Sequence, residues 1–449
     1  MLIWRRFLAS LALLTALALG YPAMAQAPAA TPEQEKQYDA AFQEMLRKPA
    51  DLDVLFKFAT IASQTGDLEG SISALERMLL INPALPRVRL ELGVLYYRLG
   101  SYEVAHTYLA ATLKSPGLPA DVRGKAEQFL AEIESKQNPS HFSGEVFFGW
   151  RFQSNANLGP STSSVRLFGQ TANLNQSSVG TPDWGMVSYL QLRHTYDLGL
   201  QDKAAMETSF VAYGSRQFEL NTANVSLLDL TTGPRFQVFS GIFSDVSLRP
   251  FISVGEIWVN DAPYYGSYGG GIEAGILLLD RLRNTTTLSW RRHNHPDTWF
   301  LPNNSLFRGT EYSGNTALQY KLTDIVTLFA TGSASRYETD IALWQNYEMW
   351  GIGGGMAFVF PDPLFKMPLP WTIALSLTQQ WWRYDAADVQ VDANTVRRQT
   401  DTIINLTASI PFDARTTLTI TGGRSERRSP LPNYAFDNNN AMFGVSWRF

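Results

Sequence analysis

Residues 141–160, HFSGEVFFGWRFQSNANLGP, mark a change in the spacing of apolar residues along the chain. Before this stretch apolar residues recur every three to four positions, and from Phe142 onward they recur at every second position. Four of them alternate with small, polar or charged residues: Val146, Phe148, Trp150 and Phe152 with Glu145, Gly149, Arg151 and Gln153. A period of two is typical of a β-strand with one apolar face. The stretch therefore predicts the first strand of a sheet that carries aromatic residues on one face and polar residues on the other.

Residues 141–449 contain no long helical pattern and divide into alternating segments. Clear examples are 371–378 and 401–410, in which apolar and polar residues alternate. We predict fourteen strands, which begin near residues 142, 184, 203, 225, 246, 266, 282, 309, 324, 347, 370, 396, 414 and 438.

The lengths of the connections alternate as well. Those after odd-numbered strands are long: 154–183, 296–308, 385–395 and 428–437. Those after even-numbered strands are short: 199–202, 280–281, 322–323 and 411–413. The segment 361–370 is an exception, since it is long but follows an even-numbered strand. Long outer loops and short periplasmic turns are typical of bacterial outer-membrane barrels.

In lipid, backbone polar groups find no water, so a sheet that crosses the membrane must close on itself. The alternation then predicts that Val146, Phe148, Trp150 and Phe152 face lipid. Aromatic residues near strand ends are expected to form girdles at the two membrane interfaces: Trp150, Trp258, Trp344, Trp350, Trp381, Trp382 and Trp447. Polar residues of the alternate set are expected to line the lumen: Glu145, Arg151, Gln153, Arg193, Glu207, Glu273 and Arg291.

The last twelve residues, NNNAMFGVSWRF, place Ala441, Phe443, Val445, Trp447 and Phe449 on one face of a final strand. A terminal phenylalanine on such a strand resembles the signal that the barrel-assembly machinery reads, so Phe449 is the predicted assembly signal. The alternative is a soluble β-sandwich, whose solvent-facing side chains would be polar. A sandwich does not explain together the pattern of an export signal over residues 1–25, the alternating connections and the terminal strand.

The composition limits the class of protein. The 449 residues carry a net charge of −4, with 17% charged residues, which gives no basic excess for a nucleic-acid partner. The chain has no cysteine, which excludes disulfides, thiol catalysis and cysteine-ligated metals and suits an oxidising compartment. The chain is rich in aromatic residues, yet its mean hydropathy is slightly negative. This combination is expected when apolar residues face lipid and polar residues face a wet interior.

The N-terminus has the pattern of an export signal. Arg5 and Arg6 precede an apolar stretch over 7–19, and Ala23-Met24-Ala25 forms a small-residue cleavage site. We predict a signal peptide over 1–25 with cleavage before Gln26. The apolar stretch is too short for a membrane helix, which needs about 20 residues.

A periplasmic helical domain is predicted over 26–140. The segment 91–105, ELGVLYYRLGSYEVA, has the spacing of a tetratricopeptide repeat, and a weaker copy lies 34 positions earlier, with Gly66 at the turn. Flanking helices are expected over 31–48, with Thr31 as N-cap, and over 119–136. Two repeats bury little surface alone, so these helices are expected to cap them.

In this class of fold the first helix of each pair lines a concave groove that binds peptides or proteins. The predicted groove residues are Asp53, Phe56, Thr60, Ser63, Arg87, Leu90, Val94 and Tyr97. For any one of them, an ordinary surface position is the alternative interpretation.

The sequence predicts no catalytic, cofactor or metal site. His293 and His295 share a strand face, but no acidic residue lies at a metal-ligand spacing, and we interpret them as solvated residues at a loop edge. The glycines of 351–355 lie in a strand pattern without a following helix, so they are interpreted as packing or lumen positions and not as a phosphate loop.

A signal peptide, a short tetratricopeptide domain and a fourteen-strand barrel on one chain resemble the surface lipoprotein assembly modulator family. The segment FSGEVFFGWRFQSNANLGP carries the resemblance, together with the helical unit before it and the terminal Trp447-Arg448-Phe449. The resemblance implies a translocator whose periplasmic domain engages an exported client, a lipoprotein or other protein, for delivery to the cell surface. Two alternatives remain: an exopolysaccharide export porin, and a diffusion porin with a docking module. The expected partners are outer-membrane lipid, the barrel-assembly machinery and the client. For the asparagine pair Asn155 and Asn157 we predict a structural role, the satisfaction of loop backbone groups.

Overall fold

A computed structural model describes residues 32–200, 204–238, 246–364 and 369–449. The predicted signal peptide and the predicted N-cap Thr31 lie outside these residues. By contacts between Cα atoms, the described chain separates into a helical unit that ends at Pro139 and a β unit that begins at Ser140.

The described part of the helical unit contains six α-helices, and each packs against the next along the chain. Their bounds are α1 Pro32–Arg47, α2 Leu52–Thr65, α3 Leu68–Ile81, α4 Pro86–Arg98, α5 Tyr102–Leu113 and α6 Ala120–Gln137. A short helical solenoid is thus confirmed, whereas its assignment to the tetratricopeptide class remains a prediction from the repeat spacing. No helix in the described residues is long and apolar enough to cross a membrane.

Local signals in the sequence set the ends of these helices and their separation. The side chain of Asp51 accepts hydrogen bonds from the backbone N–H groups of Asp53 and Val54, which caps α2. Gly66 ends α2 with a φ of 93°, a left-handed conformation that glycine adopts at little cost. A Cβ on Gly93 would lie 2.6 Å from the side chain of Leu109, so glycine is what permits α4 and α5 to approach so closely.

In the β unit the described residues form a closed antiparallel barrel of fourteen strands and a separate two-stranded hairpin. The barrel strands are β1 Ser140–Gln153, β4 Asp183–Asp197, β5 Ala205–Gln217, β6 Val225–Val238, β7 Val246–Val259, β8 Ala262–Leu279, β9 Leu282–Asn294, β10 Gly309–Lys321, β11 Val326–Thr339, β12 Tyr347–Phe360, β13 Trp371–Ala387, β14 Val396–Pro411, β15 Thr416–Arg428 and β16 Phe436–Arg448. The hairpin, β2 Ser164–Leu167 and β3 Gln170–Asn173, lies between β1 and β4 in the chain. The predicted fold class is confirmed, and the largest error in a strand start is at β8.

Each strand joins its neighbours in the chain, and β1 pairs with β16 to close the barrel. We call the end with the long connections the outer end and the opposite end the periplasmic end. At the predicted exception, β12 ends at Phe360 and β13 begins at Trp371, and both of these residues lie at the periplasmic end.

The two faces of the sheet differ in chemistry. Val146, Phe148 and Trp150 point outward and are about 40% exposed, while Gln153 on the opposite face is 7% exposed. The register carries this alternation around the barrel, so that outward positions are apolar and inward positions are polar over most of its height. The β unit is therefore an outer-membrane barrel with its apolar surface in lipid.

Two of the predicted girdle residues do not belong to the outward face. These two are Trp382 and Trp344. Trp382 faces inward, because it pairs with Met349 and Gln399 on the inward face, whereas its neighbour Trp381 pairs with outward Trp350. The prediction was wrong for Trp382 because adjacent residues of a strand point to opposite faces. Trp344 lies in a short 3₁₀ turn before β12, outside the strands.

Candidate functional site: the barrel lumen and the helical groove

The seven residues predicted to line the lumen all occupy inward positions in the register. In β1 these are Glu145, Arg151 and Gln153; the others are Arg193 in β4, Glu207 in β5, Glu273 in β8 and Arg291 in β9. Glu145 forms an ion pair with Arg448 of β16, 3.0 Å away. Arg151 donates to the hydroxyl of Ser215 at 2.8 Å.

Two of the seven belong to one cluster of four charges. The guanidinium of Arg235 contacts both oxygens of Glu207, at 2.7 and 3.0 Å, and Nη2 lies 2.6 Å from Glu273. Arg249 lies 3.5 Å from Glu207 and 3.8 Å from Glu273. Two carboxylates and two guanidinium groups therefore neutralise one another, and none of these side chains is more than 23% exposed.

The cluster continues toward the outer end along the same side of the barrel. Arg291 of β9 contacts Asp229 of β6 at 2.6 Å, across the intervening β7 and β8. Such a contact needs small inward residues between the partners, and Gly255 and Gly269 stand at the corresponding level of β7 and β8. The strands β5–β9 thus form a wall of matched charges, which we call the charged wall.

The strands β11–β13 present a different inward surface. Among the described residues, their inward positions from Thr327 to Tyr384 carry no Asp, Glu, Lys or Arg. Most of the middle of this surface consists of small residues: Thr331, Ser333, Ser335, Gly351, Gly353, Gly355, Ala374, Ser376 and Thr378. We call it the small-residue wall, and its short side chains extend less far into the lumen than those of the charged wall.

Inward aromatic rings form a continuous row near the outer end, which we call the aromatic row. His293 stacks on Tyr265 with ring centroids 4.6 Å apart and lies 5.4 Å from Tyr337. Tyr337 stacks on Tyr347 at 5.6 Å, and Tyr347 lies 5.6 Å from Tyr384. The row spans six neighbouring strands, from β8 to β13.

Gly309 makes this row possible at β10, the strand between His293 and Tyr337. A Cβ at Gly309 would lie 3.0 Å from the ring of Tyr337 and 2.4 Å from the backbone oxygen of Glu338. Glycine at this position therefore leaves room for the ring to pass over β10.

The interpretation of His293 and His295 as solvated residues was wrong. They are 7% and 3% exposed and pack among tyrosine and phenylalanine rings. The error arose because the loop 295–308 folds back over the end of β9 and buries both histidines. The alternation of residues in a strand does not show how the following loop folds. Glu311 of β10 lies 3.5 Å from His293, but within the described residues no group of three or more potential metal ligands occurs.

The loop after β1 enters the outer end of the lumen. Leu158 is 5% exposed and packs in an apolar cluster with inward residues of β7 and β16, among them Ile257 and Phe436. The other members come from the outer ends of β6, β7 and β8 and from the loops at this end: Val225, Val259, Tyr264, Ala223 and Leu301. Aliphatic and aromatic side chains thus fill part of the outer mouth.

The two asparagines of the opening stretch hold this loop in place. Asn155 donates to the backbone oxygen of Gly159 at 2.9 Å and accepts from its N–H at 2.8 Å. Asn157 donates to Val179 and accepts from the N–H of Thr181. The predicted structural role, to satisfy loop backbone groups, agrees with these contacts.

The hairpin β2–β3 reaches the opposite side of the mouth. The N–H groups of Phe168 and Gly169 donate to the backbone oxygens of Gln390 and Val391, in the loop after β13. Together with the Leu158 cluster, this hairpin makes the segment 154–182 a cover across the outer mouth, anchored on both sides.

The helical groove differs from its prediction. Asp53, Thr60 and Arg87 are exposed, and Ser63 is half-buried and accepts a hydrogen bond from Arg98. Phe56 packs against the core formed by α1–α4. The remaining three residues, Leu90, Val94 and Tyr97, lie in or against a second core.

The prediction was wrong for Leu90, which is 3% exposed. This second core includes Ala126 and Ile133 of α6, and the ring of Tyr97 lies 5.3 Å from that of Phe129. Leu90 is buried because the capping helix α6 packs on the apolar face of α4. In a longer array a further repeat would occupy that face.

In the seam between helices, Tyr96 donates to Glu76 at 2.8 Å. Burial, together with this hydrogen bond, raises the pKa of Tyr96 to about 12.

Sequence reasoning did not single out Asp229, Arg235 and Arg249, although all three occupy inward positions. The period of two could have placed them on the lumen face. Their pairing could not be inferred, because it depends on the stagger between strands β5–β9.

Comparisons with known proteins show similarity of fold only. No family model matches the chain, and no curated protein matches it. An anion-selective porin from Comamonas acidovorans is 10% identical, with a TM-score of 0.35, over 69% of this chain and 99% of its own. An outer membrane channel from Pseudomonas putida F1 is 14% identical, with a TM-score of 0.37, over 69% of this chain and 95% of its own.

The helical unit has its own likenesses. The type III secretion translocator chaperone SycD of Yersinia enterocolitica is 11% identical, with a TM-score of 0.22, over 23% of this chain and 74% of its own. At these identities and TM-scores the matches assign no activity to the chain, and membership of the surface lipoprotein assembly modulator family remains a prediction.

Proposed function

We propose that the protein is an outer-membrane translocator that engages an exported client, a surface lipoprotein or secreted protein, through its helical unit and delivers it to the cell surface through or along the barrel. The observation that carries this proposal is the anchored cover over the outer mouth. A diffusion porin needs a permanently open mouth, whereas a conduit for a client needs a mouth that opens only for transport.

The contacts of the cover suit such a conduit. It is held by a small apolar cluster and by side-chain amides, without a covalent link. Contacts of this kind can be exchanged for contacts with a passing chain, since each hydrogen bond contributes only about 1 kcal/mol net.

On the helical unit, the accessible part of the predicted groove is polar. Asp53 and Thr60 of α2 and Arg87 of α4 are exposed, so we propose that these three residues contact the client. Leu90 is buried, and the half-buried Val94 and Tyr97 pack in the same core as α6, so these three residues support the groove from below.

The test is photo-crosslinking of the full-length protein in outer membranes. A crosslinker at Thr60 should capture one specific exported protein, and a crosslinker at exposed Arg77 of α3, on the second helix of its pair, should not. Arg87→Glu should remove the capture, whereas the matched charge reversal Arg77→Glu should leave it unchanged. Equal capture from both positions, or capture insensitive to Arg87→Glu, would contradict the groove proposal.

A second test concerns delivery itself. A chain without residues 26–140, fused to its leader, should insert as a barrel but fail to deliver the client. Normal delivery by this shortened chain would rule out a role for the helical unit.

The aromatic row favours a second candidate, an exopolysaccharide export porin. The apolar faces of sugar rings pack on aromatic rings, and a row of rings lets a polymer slide from one to the next. Tyr347→Ala, inside the row, should then reduce export of a polysaccharide, while Tyr312→Ala, whose ring points outward and is 53% exposed, should not. Polymer export that responds to Tyr347 without any captured client would favour this candidate.

We further propose that Phe449 is read by the barrel-assembly machinery. Its ring is 46% exposed and stacks on Trp447 at 5.0 Å, at the end of the terminal strand. Phe449→Ser should lower the amount of barrel in the outer membrane, and unchanged amounts would contradict this role.

A further inference from the structure

Two arginine side chains stand side by side on the outward face near the outer end of the barrel. Arg383 of β13 and Arg398 of β14 are directly opposed in the antiparallel register, and both are exposed. Like charges directly opposite each other on neighbouring strands destabilise the pair. A bound anion between the two guanidinium groups would turn this repulsion into attraction.

The arginines border a recess of about 440 Å³, which is also lined by Thr400 and by the inward neighbours Trp382 and Gln399. Trp350 and Trp381, a directly opposed pair on β12 and β13, line it from the membrane side. The guanidinium of Arg383 lies 5.2 Å from the centre of the Trp350 ring, which orients it over the recess. Arg383 follows Trp381 by two positions, which places it about 7 Å further toward the outside.

Other outward arginines at this end have carboxylate partners. Arg216 lies 3.1 Å from Asp261, Arg336 lies 2.6 Å from Asp385, and Arg292 pairs with Asp340. Arg383 and Arg398 differ from them, because no carboxylate of the described residues lies within ion-pair distance of either. Glu348 opposes Arg383 in the register of β12 and β13, but its carboxylate pairs with Arg336, 3.8 Å away. The charges of Arg383 and Arg398 are therefore available to a ligand from outside the chain.

We propose that Arg383 and Arg398 bind a phosphate group of the phosphorylated glycolipid that forms the outer leaflet of the bacterial outer membrane. Guanidinium groups bind phosphate through paired, charge-assisted hydrogen bonds. Tryptophan side chains mark the level of the membrane interface, so a phosphate just outside Trp350 and Trp381 lies where a lipid headgroup belongs. The site is independent of what the barrel transports.

The test uses the purified full-length protein in detergent, with bisphosphorylated lipid A and its phosphate-free form as probes. Native mass spectrometry should show binding of the phosphorylated lipid only. The double variant Arg383→Gln/Arg398→Gln should bind it about tenfold more weakly or worse, as expected when hydrogen bonds to a charged group are lost.

The matched control is Arg216→Gln/Arg292→Gln, which removes the same charge at the same end from arginines that already have partners. It should bind the phosphorylated lipid as the unchanged protein does. Equal weakening by the two double variants, or equal binding of the phosphate-free lipid, would overturn the proposal.

Two further measurements separate the site from its alternatives. Arg383→Gln/Arg398→Gln should melt at the same temperature as the unchanged protein or higher when lipid is absent, because it removes a repulsion; a lower melting temperature would contradict the assigned repulsion. Inorganic phosphate at the concentration of the lipid should not displace it. Displacement at that concentration would overturn the lipid as the source of the phosphate.

Discussion

The charged wall and the small-residue wall line the same lumen but fill it in different ways. On the charged wall, long side chains from β5–β9 meet between adjacent strands or across one or two strands, as Arg291 does with Asp229 across β7 and β8. On the small-residue wall, hydroxyls and glycines leave the backbone close to the lumen. The two walls have the same strand geometry, so the difference comes from the side chains alone.

The comparison shows how one side of a barrel can be held by ion pairs while the other carries only short, uncharged side chains. Partly buried ion pairs hold a wall firmly only while every charge keeps its partner. Small polar residues impose no such condition, and under the proposed function they would leave the smoother side of the lumen to the client or polymer. We therefore expect the passage to follow the small-residue wall.

The largest expected effect comes from the removal of one charge from the charged wall. Arg235→Met leaves Glu207 and Glu273 without their closest partner and should lower the free energy of unfolding by about 3 kcal/mol, near the lower end of the range for a broken buried pair. Urea unfolding of the barrel in liposomes measures this loss. Ser333→Ala on the opposite wall is the control and should cost less than about 1 kcal/mol. Equal losses of unfolding free energy in the two variants would mean that the charged wall does not depend on its ion pairs more than the small-residue wall depends on its hydroxyl groups.

A smaller effect is expected from a methyl group added to the small-residue wall. A Cβ at inward Gly355 would lie 2.1 Å from the backbone oxygen of Leu375, whereas at outward Gly354 the nearest atom is 3.4 Å away. Gly355→Ala should therefore cost about 1–3 kcal/mol, as other overpacked sites do, and Gly354→Ala should cost much less. The same unfolding assay compares them, and tolerance of Gly355→Ala would show that this wall can move apart.

The next prediction concerns the cover over the outer mouth, which closes the lumen that the two walls line. Asn155→Ala leaves the backbone N–H of Gly159 with a weaker partner and should destabilise the loop by about 1 kcal/mol. In planar bilayers the variant should open more often than the unchanged protein. Asn173→Ala, in the exposed strand β3, is the control and should behave as the unchanged protein does. No increase in opening would argue that the loop does not control the mouth.

The smallest expected effect is on ion selectivity once the mouth is open. In the Asn155→Ala background, Glu273→Gln leaves an excess of guanidinium charge on the charged wall and should shift the reversal potential toward anions in a salt gradient. Thr331→Val on the small-residue wall should leave it unchanged. A shift of equal size from both changes would contradict the assignment of lumen charge to one wall.

Alternation in the sequence was sufficient to predict the number, order and faces of the strands. The segments of period two located thirteen strand starts within two residues and that of β8 within four. The same rule placed Glu207 and Glu273 inside the barrel, because a period of two admits only two faces. It failed at Trp382, where two adjacent tryptophans were assigned to one girdle.

In the helical unit, too, the spacing of residues predicted some features and missed others. Spacing indicated the paired helices and the turn glycines Gly66 and Gly100, both of which have positive φ. Spacing could not show that α6 covers Leu90, because an end repeat and an internal repeat have the same apolar face in sequence.

By itself, the sequence determined a short helical solenoid followed by a closed barrel with apolar and polar faces, since periodicity is a local property that each segment carries alone. Only the tertiary structure decided the contacts that join distant segments. These are the cluster of Glu207, Arg235, Arg249 and Glu273, the row of aromatic rings over Gly309, the cover formed by residues 154–182, and the opposition of Arg383 to Arg398. Each depends on the stagger between strands or on where a loop folds back, and both are fixed by packing across the whole barrel rather than by any single stretch of residues.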